Sequence, residues 1–394
     1  MPRTATKWLD LVAAARNALP ARSPDYLLLA LVAVLLMIGL QALFSASFVI
    51  GLTEYGNMYY FVTRQIIFGL VGLVALILFM RLDYHYWKVW SVWIMLIALA
   101  ALVMVMLPVF GRSIYGSARW IQIGSLPPIQ PSEGAKLAVV IFVSSWLSSR
   151  REKVRSFMAG VIPFILVTGL VAGLVLVQPD LGTSVVIVFI ATVLFFLAGA
   201  NLKHLAGLAV GGVLTVAPLL LVAGYRQSRM QAYLDPWSDP QGKGFHIIQS
   251  LIALGSGGIM GLGLGSSRQK FSYVPGSHTD AIFAIIGEEL GFVGCVIVIG
   301  LFATIAYRGF KIVFNAPDEF GALMAAGITS WLAFQAMINI GGITRSIPFT
   351  GITLPFISYG GSSLAVSMAA VGILLNISKH CRSATDKRRR LMPQ

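Results

Sequence analysis

Ten stretches of this chain run mostly apolar for 18 to 29 residues, none with more than three charged side chains: 26–45, 59–80, 85–108, 132–149, 157–177, 183–200, 204–224, 278–306, 320–341 and 360–378. Roughly 20 mostly apolar residues are what an α-helix needs to cross a hydrocarbon core. In that solvent only helices and closed barrels satisfy their own backbone groups. The pattern predicts an all-α integral membrane protein of ten transmembrane helices, with a large extracytoplasmic loop between spans 7 and 8. Composition agrees, since only 11% of the residues are charged, against about 25% in soluble chains.

Lys and Arg favour the inner side of a membrane, which sets the orientation. With the N-terminus inside, eighteen of the 29 Lys and Arg fall in inner segments, eight in outer segments and three within spans. Both termini are therefore expected in the cytoplasm, and the basic tail 379–394 with them. The net charge of +14 follows this bias and comes with no basic reading element for nucleic acid. Residues 1–25 lack the apolar core of a signal peptide. Trp8, Val12, Ala15 and Leu19 share one helical face, so this segment is either an interfacial helix or an unstructured tail.

The unusual chemistry lies in three outer loops, 109–131, 225–277 and 342–359. In the largest, Phe245, Ile248, Ile252 and Leu254 interleave with His246, Gln249 and Ser250, the pattern of a helix at the outer interface. The glycines between Gly255 and Gly265 permit tight turns and close backbone approach. They are followed by Arg268 and Lys270 and then by His278, Thr279 and Asp280. An acid at the mouth of a membrane helix must face protein or a polar cavity. Asp280 is thus either the functional carboxylate or, with Thr279, a cap at the positive end of the helix. Glu133 and Lys136, three apart after a capping Ser132, form either a structural ion pair or a pair lining a polar cavity. Asp180, after Pro179, reads as a helix cap, and 235–240 as a turn-rich loop. Pro355, Gly360 and Gly361 predict broken backbone leading into the last span, which at membrane depth must be enclosed by protein.

Other chemistries are excluded. Gly261-Leu-Gly-Leu-Gly265 follows no strand and opens no βαβ unit, so it is no dinucleotide site. The five histidines and two cysteines show neither metal spacing nor a disulfide framework. No Gly-x-Ser-x-Gly elbow occurs.

Several ordered motifs together resemble the SEDS family (shape, elongation, division and sporulation) of polytopic bacterial proteins that includes FtsW, RodA and SpoVE. They are Gln241-Gly242, Gln249 through Gly258, Gly261 through Gly265, His278-Thr-Asp280, Gly287-Glu-Glu-Leu-Gly291, and Leu354-Pro through Ser363. The resemblance covers about 26–380. Ser267-Arg-Gln-Lys-Phe271 and Ile285 through Leu290 look more like the FtsW and SpoVE branches than RodA. Two departures stand out: Val274-Pro-Gly276 replaces the family's Leu-Pro-Glu, and Ala281 follows Asp280 where a Phe is usual.

The resemblance implies a peptidoglycan glycosyltransferase that polymerises lipid II, the undecaprenyl-diphosphate-linked disaccharide-pentapeptide, at the outer face of the bacterial cytoplasmic membrane. It also implies a class B penicillin-binding protein and other divisome membrane proteins as partners, at the division septum, and makes the carboxylate matching Asp280 the essential acid. Inverting displacement by an acceptor hydroxyl needs a base, for which Asp280 serves, and positive charge near the diphosphate. Arg268, Lys270, Lys243, Arg112, Arg119 and Lys136 are candidates for that charge, with Glu133, Gln249, His278 and Ser358 as further substrate contacts. No resident metal is expected; Mg or Mn is the one cofactor the diphosphate chemistry leaves open. The rival readings are a lipid II flippase, an elongation- or sporulation-type polymerase, and a non-catalytic division scaffold.

Overall fold

The computed structural model describes residues 23–107, 111–114, 117–122, 128–150, 153–222, 224–267 and 274–381. The expected interfacial helix in 1–25, most of the basic tail, and Arg268 and Lys270 lie outside them. Helices stand at all ten expected span positions: α1 (Tyr26–Tyr55), α2 (Tyr60–Arg81), α3 (His85–Met106), α4 (Pro131–Ser148), α5 (Ile162–Val177, entered through a π turn at Phe157–Val161), α6 (Leu181–Leu197), α7 (Leu202–Val222), α10 (Ile282–Asn315), α11 (Glu319–Ile343) and α12 (Gly361–Lys379). Two more, α8 (Gly224–Leu234) and α9 (Phe245–Ser256), occupy the large loop. The interfacial helix expected there is α9, whereas α8 forms where the sequence suggests only loop. Among the described residues, seven helices are long and apolar enough to cross a membrane. Of the other three, α4 has a charged pair in its first turns, α6 is only 17 residues long, and α7 spans 21 residues.

One small departure from all-α is a hairpin in the loop after α3. Strand β1 (Gly111–Ile114) pairs antiparallel with β2 (Ser117–Ile121), and Ile121 bridges on to Ile129. These strands are too short to leave a readable alternation in sequence.

Helix ends follow local chemistry. The side chains of Asp25, Asp180 and Asp318 accept the backbone N–H of Leu28, Thr183 and Gly321 at 3.1, 3.1 and 2.9 Å, each satisfying a donor the helix start leaves open. Ser132 does not cap α4: the N-cap is Gln130, with Pro131 at the first helical position, where proline's missing N–H costs nothing. Helices α11 and α12 form the centre, buried over 78% of their apolar windows against 22% for α2 and α3. Small residues close the α2–α12 seam, where a Cβ on Gly372 would lie 2.5 Å from the Leu76 carbonyl oxygen.

Two backbone irregularities shape the loop-bearing end of the bundle. The stretch before α12 is non-helical and buried, and amide side chains satisfy it. Gln65 Nε2 donates to Ser358 O (3.0 Å) while Gln65 Oε1 accepts Gly360 N (3.3 Å). Gln335 Nε2 reaches Thr353 O (2.9 Å), and Asn339 Nδ2 reaches Ile352 O (2.7 Å). Separately, α10 breaks at Gly291 (φ 67°, ψ −163°). The glycine loop after α9 repairs that break. Leu262 and Gly263 N–H groups donate to the carbonyls of Glu288 and Glu289, while Phe292 and Val293 N–H groups donate to those of Gly258 and Ile259, at 2.9–3.2 Å. Gly261 and Gly291 approach too closely for any Cβ: one on Gly261 would lie 2.1 Å from Glu289 O.

The end of the bundle where α1 begins and α12 finishes is closed by mutually paired polar groups. Arg308 bonds Asp25 (2.6 Å), whose N–H donates to Ser378 (3.0 Å). His85 bridges Asp83 and Asp318 at 2.7 and 3.3 Å. Buried Tyr84 donates its hydroxyl to Asp318 and its N–H to Asn376.

Candidate active site

Asp280 sits in a tight turn that leads into α10 at the opposite, loop-bearing end. Thr279 and Ala281 N–H groups both donate to Gly276 O, at 2.9 and 3.1 Å. Gly276 has φ +65°, and a Cβ there would come within 2.2 Å of Asp280 Oδ1, so glycine is needed on both counts. Asp280 does not cap the helix: the N-cap is Ala281, without a side-chain bond. Its Oδ1 instead accepts the Thr279 hydroxyl at 2.8 Å, and its carbonyl accepts Asn339 Nδ2 at 2.8 Å. The carboxylate is thereby left to the half-buried space beside it.

Three further elements border that space. Arg229 of α8 is held by the carbonyls of Phe349 and Thr350 at 3.4 and 2.9 Å. Between it and the acid lies Gly351 (φ +75°), where a Cβ would stand 3.5 Å from Asp280 Oδ2 and 3.6 Å from Arg229 Nη2. His246 of α9 lies 4.3 Å from the Phe349 ring, centroid to centroid. Burial depresses its basicity, the Asp280 charge opposes that, and Arg229 adds to it. His278 is buried against Phe61 at 4.6 Å. Burial holds its imidazole down to about 4 despite the nearby Asp280 charge. Both imidazoles are thus neutral near pH 7, and among the described residues the formal charges beside this space are those of Asp280 and Arg229.

Glu133 and Lys136 pair at 2.8 Å with both side chains buried. Lys136 Nζ also donates to Gln335 Oε1 (2.7 Å), which accepts Trp331 Nε1 (2.7 Å) as well, and it lies 5.0 Å from the Trp331 ring centroid. Gln335 and Asn339 are four residues apart on α11, about 6 Å along its axis. One face of α11 therefore anchors both the buried ion pair and the backbone of Asp280.

The other sequence candidates divide. His278 stands beside Asp280, and Gln249 is half-buried on α9. Lys243 is exposed, and its Nζ meets Gln231 at 3.0 Å in a cavity of about 260 Å³ bordered by Asp235 and Asp239. Ser358 is buried within the irregular stretch, its hydroxyl accepting Leu354 N at 2.8 Å. Arg119 is bound to the α5–α6 turn through Gln178 O (3.2 Å) and the Pro179 carbonyl, which makes it an anchor for the hairpin. The side chain of Arg112, like Arg268 and Lys270, falls outside the described residues. No group of three or more His, Cys, Asp or Glu side chains among the described residues converges on a metal-binding arrangement. Sequence reasoning missed Arg229, His246, Gln335 and Asn339. The signal available for the last two was a pair of amides four apart in an otherwise apolar span.

The sequence matches the FtsW/RodA/SpoVE family, described as cell cycle protein, over residues 25–383. It is 45% identical to stage V sporulation protein E of Bacillus subtilis strain 168, over 91% of this chain and 98% of that one. To a probable peptidoglycan glycosyltransferase FtsW of Geobacter sp. strain M18 it is 37% identical, over 91% and 98%. Among solved structures, a chain of a peptidoglycan synthase complex, described as coordinating polymerization and crosslinking, superposes with a TM-score of 0.74 at 30% identity, covering 90% of this chain and 98% of that one. Rod shape determining protein RodA of Thermus thermophilus superposes with a TM-score of 0.68 at 28% identity, covering 91% and 98%.

Proposed function

This chain belongs to the FtsW/RodA/SpoVE family of cell cycle proteins, and we propose that it is a peptidoglycan glycosyltransferase that polymerises lipid II at the outer face of the bacterial cytoplasmic membrane. The observation that carries the reading is the placement of Asp280: a carboxylate held through its backbone by Asn339, at the loop-bearing end, across Gly351 from a fixed guanidinium. The Lys and Arg bias puts that end outside and both termini inside.

In the reaction proposed, an acceptor sugar hydroxyl attacks the anomeric carbon of the donor. The new C–O bond forms as the bond to the lipid diphosphate breaks, with inversion. Asp280 takes the hydroxyl proton, a role for which general bases contribute about 10²–10⁴-fold. Arg229, at the same space, neutralises charge as the diphosphate leaves. Lys136 is less free for that task, since Glu133 and Gln335 already hold it; its part is to keep the α4–α11 wall polar and fixed. Mg or Mn, where used, would enter with the diphosphate.

Flippase chemistry fits less well. Carrying a headgroup across needs a polar path to both faces, whereas the polar groups described at the terminus-bearing end bond one another. A scaffold has no use for the Asp280 turn. The partner proposed is a class B penicillin-binding transpeptidase, together with other divisome membrane proteins at the septum, supported by the relative solved in a synthase complex. A second reading, a sporulation setting for the same chemistry, is favoured by the 45% identity to stage V sporulation protein E.

The test is glycan polymer formed from lipid II by purified wild type and Asp280→Asn, each with the transpeptidase and each checked for folding. Polymer from wild type alone supports the assignment. Equal polymer from both removes Asp280 as the base, and headgroup translocation in sealed vesicles without polymer would move the assignment to a flippase.

A further inference from the structure

The large loop is not wholly an aqueous loop. Residues 251–267 carry no charged side chain, yet they contain some of the most exposed apolar side chains in the protein: Ile259 (69%), Met260 (79%) and Leu264 (59%). Their height in the bundle can be read from α1 and α10, which are cross-linked at two levels. At one level Asp25 pairs with Arg308; at the other Ser45 donates to Glu289. Asp25 and Ser45 are twenty residues apart on α1, about 30 Å of helix, comparable to the thickness of a bilayer's hydrocarbon core.

The glycine loop reaches past the Ser45–Glu289 level. The Ile259 carbonyl accepts the Val293 N–H, four residues further along α10 than Glu289 and past the Gly291 break, so the tip lies on the span side of the Ser45–Glu289 level. Unpaired backbone groups are strongly disfavoured in hydrocarbon, and the four exchanged hydrogen bonds across the Gly291 break pair four N–H and four carbonyl groups there. The polar atoms face inward: Ser267 meets Glu288 at 2.5 Å, and Glu289 accepts Ser45. The apolar side chains face out, continuous with exposed Phe292, Val296 and Ile297 of α10.

We propose that residues 257–265 form a re-entrant anchor seated among the acyl chains of the outer leaflet. The anchor fixes the height of α9, and with it His246, over Asp280. The loop is tethered at two points, through Arg229 to the 349–350 backbone and through this tip to lipid.

The experiment uses the full-length chain in liposomes with Cys295→Ser and Cys381→Ser. A nitroxide is placed at Met260→Cys, at Ile259→Cys as a second site, and at Ser238→Cys on the exposed outer loop as reference. Collision with oxygen, which concentrates in hydrocarbon, is compared with collision with a polar nickel chelate. The expected result is oxygen-dominated collision at 259 and 260 and nickel-dominated collision at 238, with the ratio differing by at least several-fold. Nickel access at 260 equal to that at 238 would overturn the proposal. So would protection from both reagents that appears only when the transpeptidase is added, since the tip would then be a protein-docking face. The readout is independent of glycan synthesis, so its failure leaves the enzymatic assignment standing.

Discussion

Removing Lys136 should destabilise the bundle far more than removing Lys136 and Glu133 together. The pair is buried, with its lysine fully inaccessible and its glutamate 3% exposed. Lys136→Met leaves the Glu133 carboxylate without its 2.8 Å partner, and breaking a buried pair on one side costs about 3–5 kcal/mol. A lost cation–π contact with Trp331 adds up to about 2 kcal/mol. Gln335 is not orphaned, because Trp331 Nε1 still donates to its Oε1. Glu133→Leu with Lys136→Met removes both charges, and replacement of a whole buried pair by apolar groups is often neutral or stabilising by about 1–4 kcal/mol. Unfolding titrations in mixed micelles would measure all three proteins, and polymer yield would be measured beside them. The double variant should recover most of the stability lost by the single one while its polymer yield stays at least ten-fold below wild type. Equal destabilisation of single and double variants would refute the electrostatic account. A stable double variant with full activity would make the pair purely structural.

Three other outcomes are expected. The His278 imidazole titrates at about 4 in the folded protein, below the ~6.5 of a free histidine, so the unfolded chain binds the proton first as pH falls. Stability is complete above pH ~6.5 and drops by about 3 kcal/mol towards pH 4; His278→Gln should remove that component from a comparison of unfolding free energy at pH 7 and 4.5. Gly372→Leu would drive a side chain into the Leu76 backbone across the α2–α12 seam, and a thermal midpoint within error of wild type would contradict the packing described. Arg229→Ala should lower polymer yield at least ten-fold, with Arg229→Lys restoring little, because a lysine cannot span the two carbonyls and the Gly351 side together.

Features set by local chemistry are readable from sequence. The apolar runs place eight helices to within a few residues and stop ten and nine residues short of the ends of α1 and α10; Asp180 caps as its Pro-Asp context suggests, and Glu133–Lys136 spacing alone predicts the pair. Pro355, Gly360 and Gly361 announce the irregular entry to α12. What escapes depends on contacts between distant segments. Arg229 is indistinguishable in sequence from any outer arginine until the 345–351 loop, some 120 residues on, wraps around it. The break at Gly291 is invisible because one glycine in an apolar helix is tolerated; only the loop after α9 makes a break tolerable there. Asp280 resembles a cap in sequence because its distance from the true helix start is set by the Gly276 turn, a tertiary feature.

Asn339 has a consequence of a mechanical kind. A single nitrogen holds the carbonyl of Asp280 and the carbonyl of Ile352 at 2.8 and 2.7 Å, coupling two segments that are 72 residues apart in the chain. Neither can shift by much without stretching a bond to the other, in a place with little water to compensate. The loop that runs from α11 to α12 thus acts as a lever whose short arm is the acid's own backbone. A pull on that loop is therefore felt at the acid's backbone, although the loop's own side chains need not enter the site.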